Sequence, residues 1–315
     1  VLSRGAITVT NINAANNNDN DGEPENEGIG GAYLDNTAGS GAVSILRTQS
    51  KWHNWFGDNE GTGLEIHAKG PITLVRVGAN NNQGYGADLD NCLWDWASGQ
   101  CLGTGTVSIS NPIGYNSFFQ WNGSTGLNIS SKGAITASNI SADNNGWMGA
   151  SLDNNWSGAS GGVTLLAYGD HTNSFNENWH TGLGVYSVGA INLTRIAAER
   201  NNYRGVYLYN EGALANQPVT VTDGSIYGNH NDGLTIRSKG AVRLIDVQSN
   251  DNDVISGTAY VGDYFAERIT DEHQSGDNWT FDWTAGTDPL VIRVETDEGF
   301  DPILELADGT GNPVT

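Results

Sequence analysis

An all-β solenoid of stacked parallel strands is the fold this sequence predicts, on three observations. An apolar strand signature opened by Gly recurs five times, a second signature follows it before the next copy begins, and Asn or Gly marks the corners between strands. Repeats of this kind identify stacked arrays, in which a unit buries its apolar face only against its neighbours. Nothing in the chain reads as a long amphipathic helix.

The first signature reads GAITVTNI from Gly5, GPITLVRV from Gly70, GAITASNI from Gly133, GAINLTRI from Gly189 and GAVRLIDV from Gly240, so the period shrinks from 65 to 51 residues. Each copy runs through an Asn-rich corner into GAYLDN at Gly31, GADLDN at Gly86, GASLDN at Gly149 or GVYLYN at Gly205. A second type of coil starts at Ala42, Thr106, Val163 or Val219 and closes with TGLEI, TGLNI, TGLGV or DGLTI. One unit therefore holds two coils of about 22 to 30 residues, and about nine coils fit before Ser256.

Side-chain alternation along strands assigns inward columns. One contains Ile7, Ile72, Ile135, Ile191 and Val242; another contains Leu34, Leu64, Leu89, Leu127, Leu152, Leu183, Leu208 and Leu234. Corner asparagines recur as Asn36, Asn91, Asn154 and Asn210, and again as Asn59, Asn122, Asn178 and Asn229, each of the latter three residues after an aromatic residue or Ile. Stacked Asn side chains can hydrogen-bond along the pile, and Asn and Gly tolerate the left-handed backbone that corners demand.

On these repeats, residues 1–256 resemble the right-handed parallel β-helix repeats of large secreted bacterial and archaeal surface proteins, an architecture similar to pectate lyases and polygalacturonases. The right-handedness is what the resemblance implies. From about Gly257 the texture changes to alternating strands separated by turns. This stretch, 257–315, resembles the small β-sandwich called the bacterial pre-peptidase C-terminal domain, through Trp279, Phe281, Phe300, Asp301, Pro302 and Leu304. It stops at Thr315, where the family pattern would continue, so the sandwich reads as incomplete. The opening Val1 to Gly5 matches the close of a coil, as at Ile129 to Gly133. Two readings follow: a segment of a longer polypeptide, or a subunit whose exposed edge strands invite head-to-tail addition of further copies into a filament.

A net charge of −22, with 14 Lys and Arg against 36 Asp and Glu, argues against nucleic-acid or anionic-lipid partners. No apolar run approaches 18 residues, which argues against membrane insertion. Cys92 and Cys101 lie in one loop, without a companion His or second Cys pair for a metal, and predict a local disulfide and an extracellular location.

Two groupings carry candidate chemistry. Interleaving the coils sets Tyr33, Glu65, Asp88, Asn128 and Ser151 in one outward column, with Asp35, His67, Asp90, Ser130 and Asp153 beside it. Asp35, Glu65, His67, Asp88 and Asp90 then share a patch, and neighbouring carboxylates raise one another's pKa, as glycosidases require. The same patch is open to a calcium reading through Asp88 and Asp90 or a purely structural one, since Asp35, Asp90 and Asp153 belong to the recurring corner. The motifs of polygalacturonases and pectate lyases are absent from it. A second calcium candidate, Asp19 and Asp21 in NNNDNDGEPENE, has Gly28 where an EF-hand needs Glu.

Trp52, Trp55, Trp94 and Trp96 are candidates for contact with a glycan or a protein partner, part of a complement of ten Trp that exceeds what the core needs. Among the six N-x-S/T sequons, Asn122, Asn155 and Asn278 are candidates for glycosylation. The sequence therefore predicts an extracellular structural protein without a required cofactor, the building block of a cell-surface filament, sheath or adhesin, with self-association as its principal interaction. A polysaccharide-binding or polysaccharide-cleaving β-helix is the alternative.

Overall fold

The computed structural model describes residues 1–17, 30–48, 53–213, 216–250, 252, 259–261 and 281–282. Among these, every regular element is a strand, and two large parallel sheets wrap a shared apolar core in a nearly closed solenoid compatible with a parallel β-helix. Three faces recur.

The first face stacks Ile7–Thr10, Val43–Leu46, Ile72–Val75, Val107–Ser110, Ile135–Ser138 and Val163–Leu166, then the leading halves of Ile191–Glu199, Val219–Tyr227 and Val242–Asn250. A left-handed residue then turns the chain: Asn11, Arg76, Asn139, Arg195, Asp223 and Asp246 all have φ between 48° and 60°. Beyond the turn lies a narrow face of two-residue strands, Asn54–Trp55, Val77–Gly78, Ser117–Phe118, Ile140–Ser141 and Asn173–Ser174, continued by the trailing halves of the three long strands. The remaining face stacks Ala32–Asn36, Leu64–Ala68, Ala87–Asp90, Leu127–Ser130, Ala150–Asn154, Leu183–Ser187, Val206–Tyr209 and Leu234–Ser238.

Two short strands, Ala259–Val261 and Phe281–Asp282, extend this last sheet in parallel. The rest of the region expected to form a sandwich lies outside the described residues.

The column Ile7, Ile72, Ile135, Ile191 and Val242 is buried as expected. The single leucine column is corrected by the register. Leu34 pairs with Ile66, and Leu64 with Ala32 and Ala87, so the leucines divide between two adjacent inward positions. One position runs Ala32, Leu64, Ala87, Leu127, Ala150, Leu183, Val206 and Leu234; the other runs Leu34, Ile66, Leu89, Ile129, Leu152, Val185, Leu208 and Ile236. The slip is of two residues, which keeps every side chain on its predicted side.

Volume explains why the repeat spans two coils. Coils carrying Phe56, Phe119 and Phe175, all fully buried, also carry Leu64, Leu127 and Leu183. The coils between them carry Ala79 with Ala87 and Ala142 with Ala150 at the same places, and these too are fully buried. Large rungs thus alternate with small ones, the arrangement that lets stacked layers interdigitate at native density.

An asparagine spine locks the rungs together. Asn17, Asn59, Asn82, Asn122, Asn145, Asn178, Asn201, Asn229 and Asn252 form one continuous series, in which the backbone N–H and the side-chain Nδ2 of each donate to Oδ1 of the next. The second amide hydrogen of Asn82, Asn122, Asn145 and Asn229 goes to a backbone carbonyl, of Phe56, Ala79, Phe119 and Ala198 respectively. Buried polar groups satisfied this way stabilise a stack, where isolated ones would cost it.

Immediately before the spine the chain is left-handed at Asn16, Asp58, Asn81, Trp121, Asn144, Glu177 and Arg200, with φ of 52° to 61°, and at Gly228. The spine also explains the Gly that opens each strand of the face it leads into. A Cβ on Gly126 would lie 2.6 Å from Asn145 Nδ2 and 2.8 Å from the Gly149 carbonyl oxygen. Asn36, Asn91, Asn154 and Asn210, expected to stack likewise, do not. Their amides donate to corner carbonyls such as those of Ala68 and Gly70 for Asn91, because Ala68 and Ser187 occupy the position on neighbouring rungs.

Candidate functional site

The outward columns fall where the sequence puts them. Tyr33 aligns with Glu65, Glu65 with Asp88 and Asp88 with Asn128, while Asp35 aligns with His67, His67 with Asp90 and Asp90 with Ser130. All five candidate catalytic residues are therefore neighbours on one face. Their side chains have structural partners. Asp35 accepts the Thr37 N–H at 2.7 Å and Asp90 that of Leu93 at 2.8 Å, so both close the corner turns that follow their strands. Glu65 meets His67 at 2.9 Å, and Asp88 accepts the Asn128 amide at 2.9 Å. Tyr33 leans on the His67 ring, with centroids 5.5 Å apart.

The electrostatics separate these carboxyls. Burial raises the pKa of Asp88, with further increments from Glu65 and Asp90, against the opposing Asn128 bond and His67. Hydrogen bonds from Thr37 lower that of Asp35. Burial raises that of Asp153, whose carboxylate caps Asn155 in the same manner. A carboxyl whose pKa is raised by burial, beside other carboxyl groups, is the arrangement from which general acid catalysis is drawn.

Among the described residues no three His, Cys, Asp or Glu side chains are grouped to hold a metal. Asp19 and Asp21 lie outside the described residues.

Cys92 and Cys101 form the predicted disulfide across a small hairpin in which Trp94 pairs with Cys101 and Asp95 with Gln100. Trp94 packs between Trp96 and Trp156, with centroids 6.2 and 5.3 Å away, and Trp96 projects into solvent, 90% exposed. An open cleft beside the hairpin is lined by Thr37, Lys69, Asp90, Leu93, Trp94, Asp95 and Leu102, which places Trp94 next to the acidic patch. Trp55 is elsewhere, on the narrow face, lying across Gly57 and Gly78. Trp52 is outside the described residues.

Glycosylation at Asn122 is corrected by the spine: the residue is 2% exposed and both amide hydrogens are bonded. Asn155 sits in a half-buried loop, and Asn278 lies outside the described residues.

A second surface gathers Trp147, one of the surplus tryptophans, with partners that the sequence did not join to it. Trp147 stacks on His180 at 4.2 Å, and His180 packs at a tilt of 36° against Tyr203, 4.6 Å away. Arg204 lies over the rings of Tyr203 and Tyr207, Tyr186 contacts Tyr207 and Tyr209, and Arg237 lies over Tyr209. Trp147, His180 and Tyr203 each lie two residues beyond a spine asparagine, so the rungs align them. Burial, and then Arg204, lower the pKa of His180, which favours the neutral ring within the stack. The spacing from the spine was the available signal, masked by Gly61, Gly84 and Ser124 at the same position in other coils.

Comparison with protein-family models, with curated proteins and with solved structures gives no match for this chain.

Proposed function

We propose that the chain is an extracellular structural solenoid of about nine coils, whose sheet runs on into Ala259–Val261 and Phe281–Asp282 before a C-terminal β-sandwich, and that it serves as the building block of a cell-surface filament, sheath or adhesin. The observation that carries this reading is the uninterrupted asparagine spine, flanked by ladders on every face. A continuous hydrogen-bonded stack of this kind is stiff along its axis, and it exposes few segments that open locally to a protease. The disulfide fits an oxidising compartment, and no helix of the described residues is long and apolar enough to cross a membrane. Self-association suits such a solenoid, because an uncapped rung offers the same donors and acceptors that the next rung accepts.

Negative-stain imaging of the native material, paired with the intact mass of the dissociated subunit, tests the proposal. Filaments whose subunit matches the 33.4 kDa chain, allowing for glycans, would support it. Isolated particles of a monomeric protein would count against it.

The second reading, polysaccharide binding or cleavage at the Asp35 to Asp90 patch, is favoured by one observation, the raised pKa of Asp88 beside the Trp94 cleft. Glu65→Gln and Asp90→Asn variants that keep their fold but lose sugar turnover would move the function there.

A further inference from the structure

We propose that the open cleft between Trp121 and Trp179 is a binding site for a neutral oligosaccharide, independent of the acidic patch and of any assembly. The cleft is lined by Trp121, Asn144, Asn145, Gly146, Glu177, Trp179 and Asn202. It straddles the spine: Trp121 precedes Asn122, Gly146 follows Asn145, and Trp179 follows Asn178. The two indoles therefore stand two rungs apart, roughly 10 Å along the axis, one on each side of the spine.

Neither tryptophan is needed by the fold. Trp121 is 59% exposed and Trp179 67%, and neither ring stacks on another among the described residues. Trp121 occupies a left-handed position, φ 60°, that other rungs fill with Asn, Asp, Glu, Arg or Gly. A bulky side chain is disfavoured at such a φ, and an unfavourable residue retained without a packing role points to a contact outside the chain. The place of Trp179 is taken on neighbouring rungs by Gly123, Gly146, Asn202 and His230, which continue the same backbone ladder.

The lining selects the ligand class. It holds two free aromatic faces, amides and a glycine floor, and no aliphatic side chain. A protein partner's anchor calls for an apolar pocket to fill, which this lining does not supply. Aromatic faces suit the C–H face of a pyranose, and the side-chain amides of Asn144 and Asn202, which make no hydrogen bond among the described residues, suit its hydroxyls. Glu177 is held by Arg200 at 2.7 Å, so no uncompensated cation is present to recruit an acidic sugar, and the net charge of −22 repels one.

The test is an array of neutral and acidic oligosaccharides probed with the intact chain, followed by titration of the retained glycan by tryptophan fluorescence. The variants are Trp121→Asn and Trp179→Asn, which install residues that equivalent rungs carry, with urea midpoints to verify folding. Retention of neutral glycans, weakened roughly tenfold by either change and abolished by both, is expected, with Trp96→Ser binding as the parent does. Failure to retain any neutral glycan, undiminished binding by the double variant, or loss confined to Trp96→Ser would each overturn the assignment.

Discussion

Replacing Asn145 by Ala removes one rung of the spine at mid-array, and the structure sets the cost. The side chain is 2% exposed and makes four hydrogen bonds. Oδ1 accepts the Asn122 backbone N–H and Nδ2, both at 3.0 Å, and Nδ2 donates to Asn178 Oδ1 and the Phe119 carbonyl, also at 3.0 Å. Truncation leaves the Asn178 oxygen its bond from the Asn145 backbone but strands two donors on Asn122 in the interior. An orphaned buried group costs about 1–3 kcal/mol, so the variant should lose about 3 kcal/mol once the side-chain void admits some relaxation.

Urea unfolding followed by far-ultraviolet circular dichroism measures it. The slope serves as a second readout, because weakening one interface in a stacked array reduces cooperativity across it. Asn144→Gly is the control: Asn144 is left-handed, φ 60°, and its inter-rung bond to the Asn176 carbonyl comes from the backbone, which Gly keeps, so the change should alter stability by only a few tenths of a kcal/mol. A midpoint and slope for Asn145→Ala indistinguishable from the parent would refute the claim that the spine binds the coils together.

Other expected outcomes follow the same geometry. Gly126→Ala pushes a Cβ onto Asn145 Nδ2 and should destabilise by about 1–3 kcal/mol in thermal melts, while Gly5→Ala, whose Cβ has no neighbour closer than 3.9 Å, should be silent. Asp88 has a folded pKa raised by burial, so its favourable contribution exists below the unfolded carboxyl pKa and is lost as pH rises through the folded one. Asp88→Asn should therefore melt higher than the parent at neutral pH, with the difference vanishing in acid; a difference that grows in acid would reverse the sign. Cys92→Ser opens a bridge of sequence separation nine and should cost roughly 2–3 kcal/mol, judged from loop length, without loss of the strand signal in circular dichroism.

Strand alternation made the faces legible, because a period of two survives a register error of two. That is why Tyr33, Glu65 and Asp88 align as read, while Leu34 and Leu64, chemically alike, proved to occupy different columns. The spine was half legible. Asn59, Asn122 and Asn178 follow Phe, an easily noticed neighbour, whereas Asn82, Asn145 and Asn201 follow Ala at the same offset and were lost among other asparagines. What excluded Asn36, Asn91 and Asn154 from a spine was the identity of the residue one rung away, which only the register supplies. The chemistry of the acidic patch was read correctly as a juxtaposition, but the turn N–H groups that engage Asp35 and Asp90 are backbone atoms, and sequence carries no direct record of them. The stack of Trp147, His180 and Tyr203 draws one residue from each of three coils, so no local motif announces it.

The most direct test of the account is amide hydrogen exchange at the spine. The backbone N–H groups of Asn82, Asn122, Asn145 and Asn178 sit at corners of the chain, where exchange is ordinarily fast, yet each donates to the next asparagine at 2.9 to 3.1 Å. Protection equal to that of core strands such as Ile135–Ser138 is the predicted result. Exchange as rapid as that of an exposed loop amide such as Trp96 would contradict it.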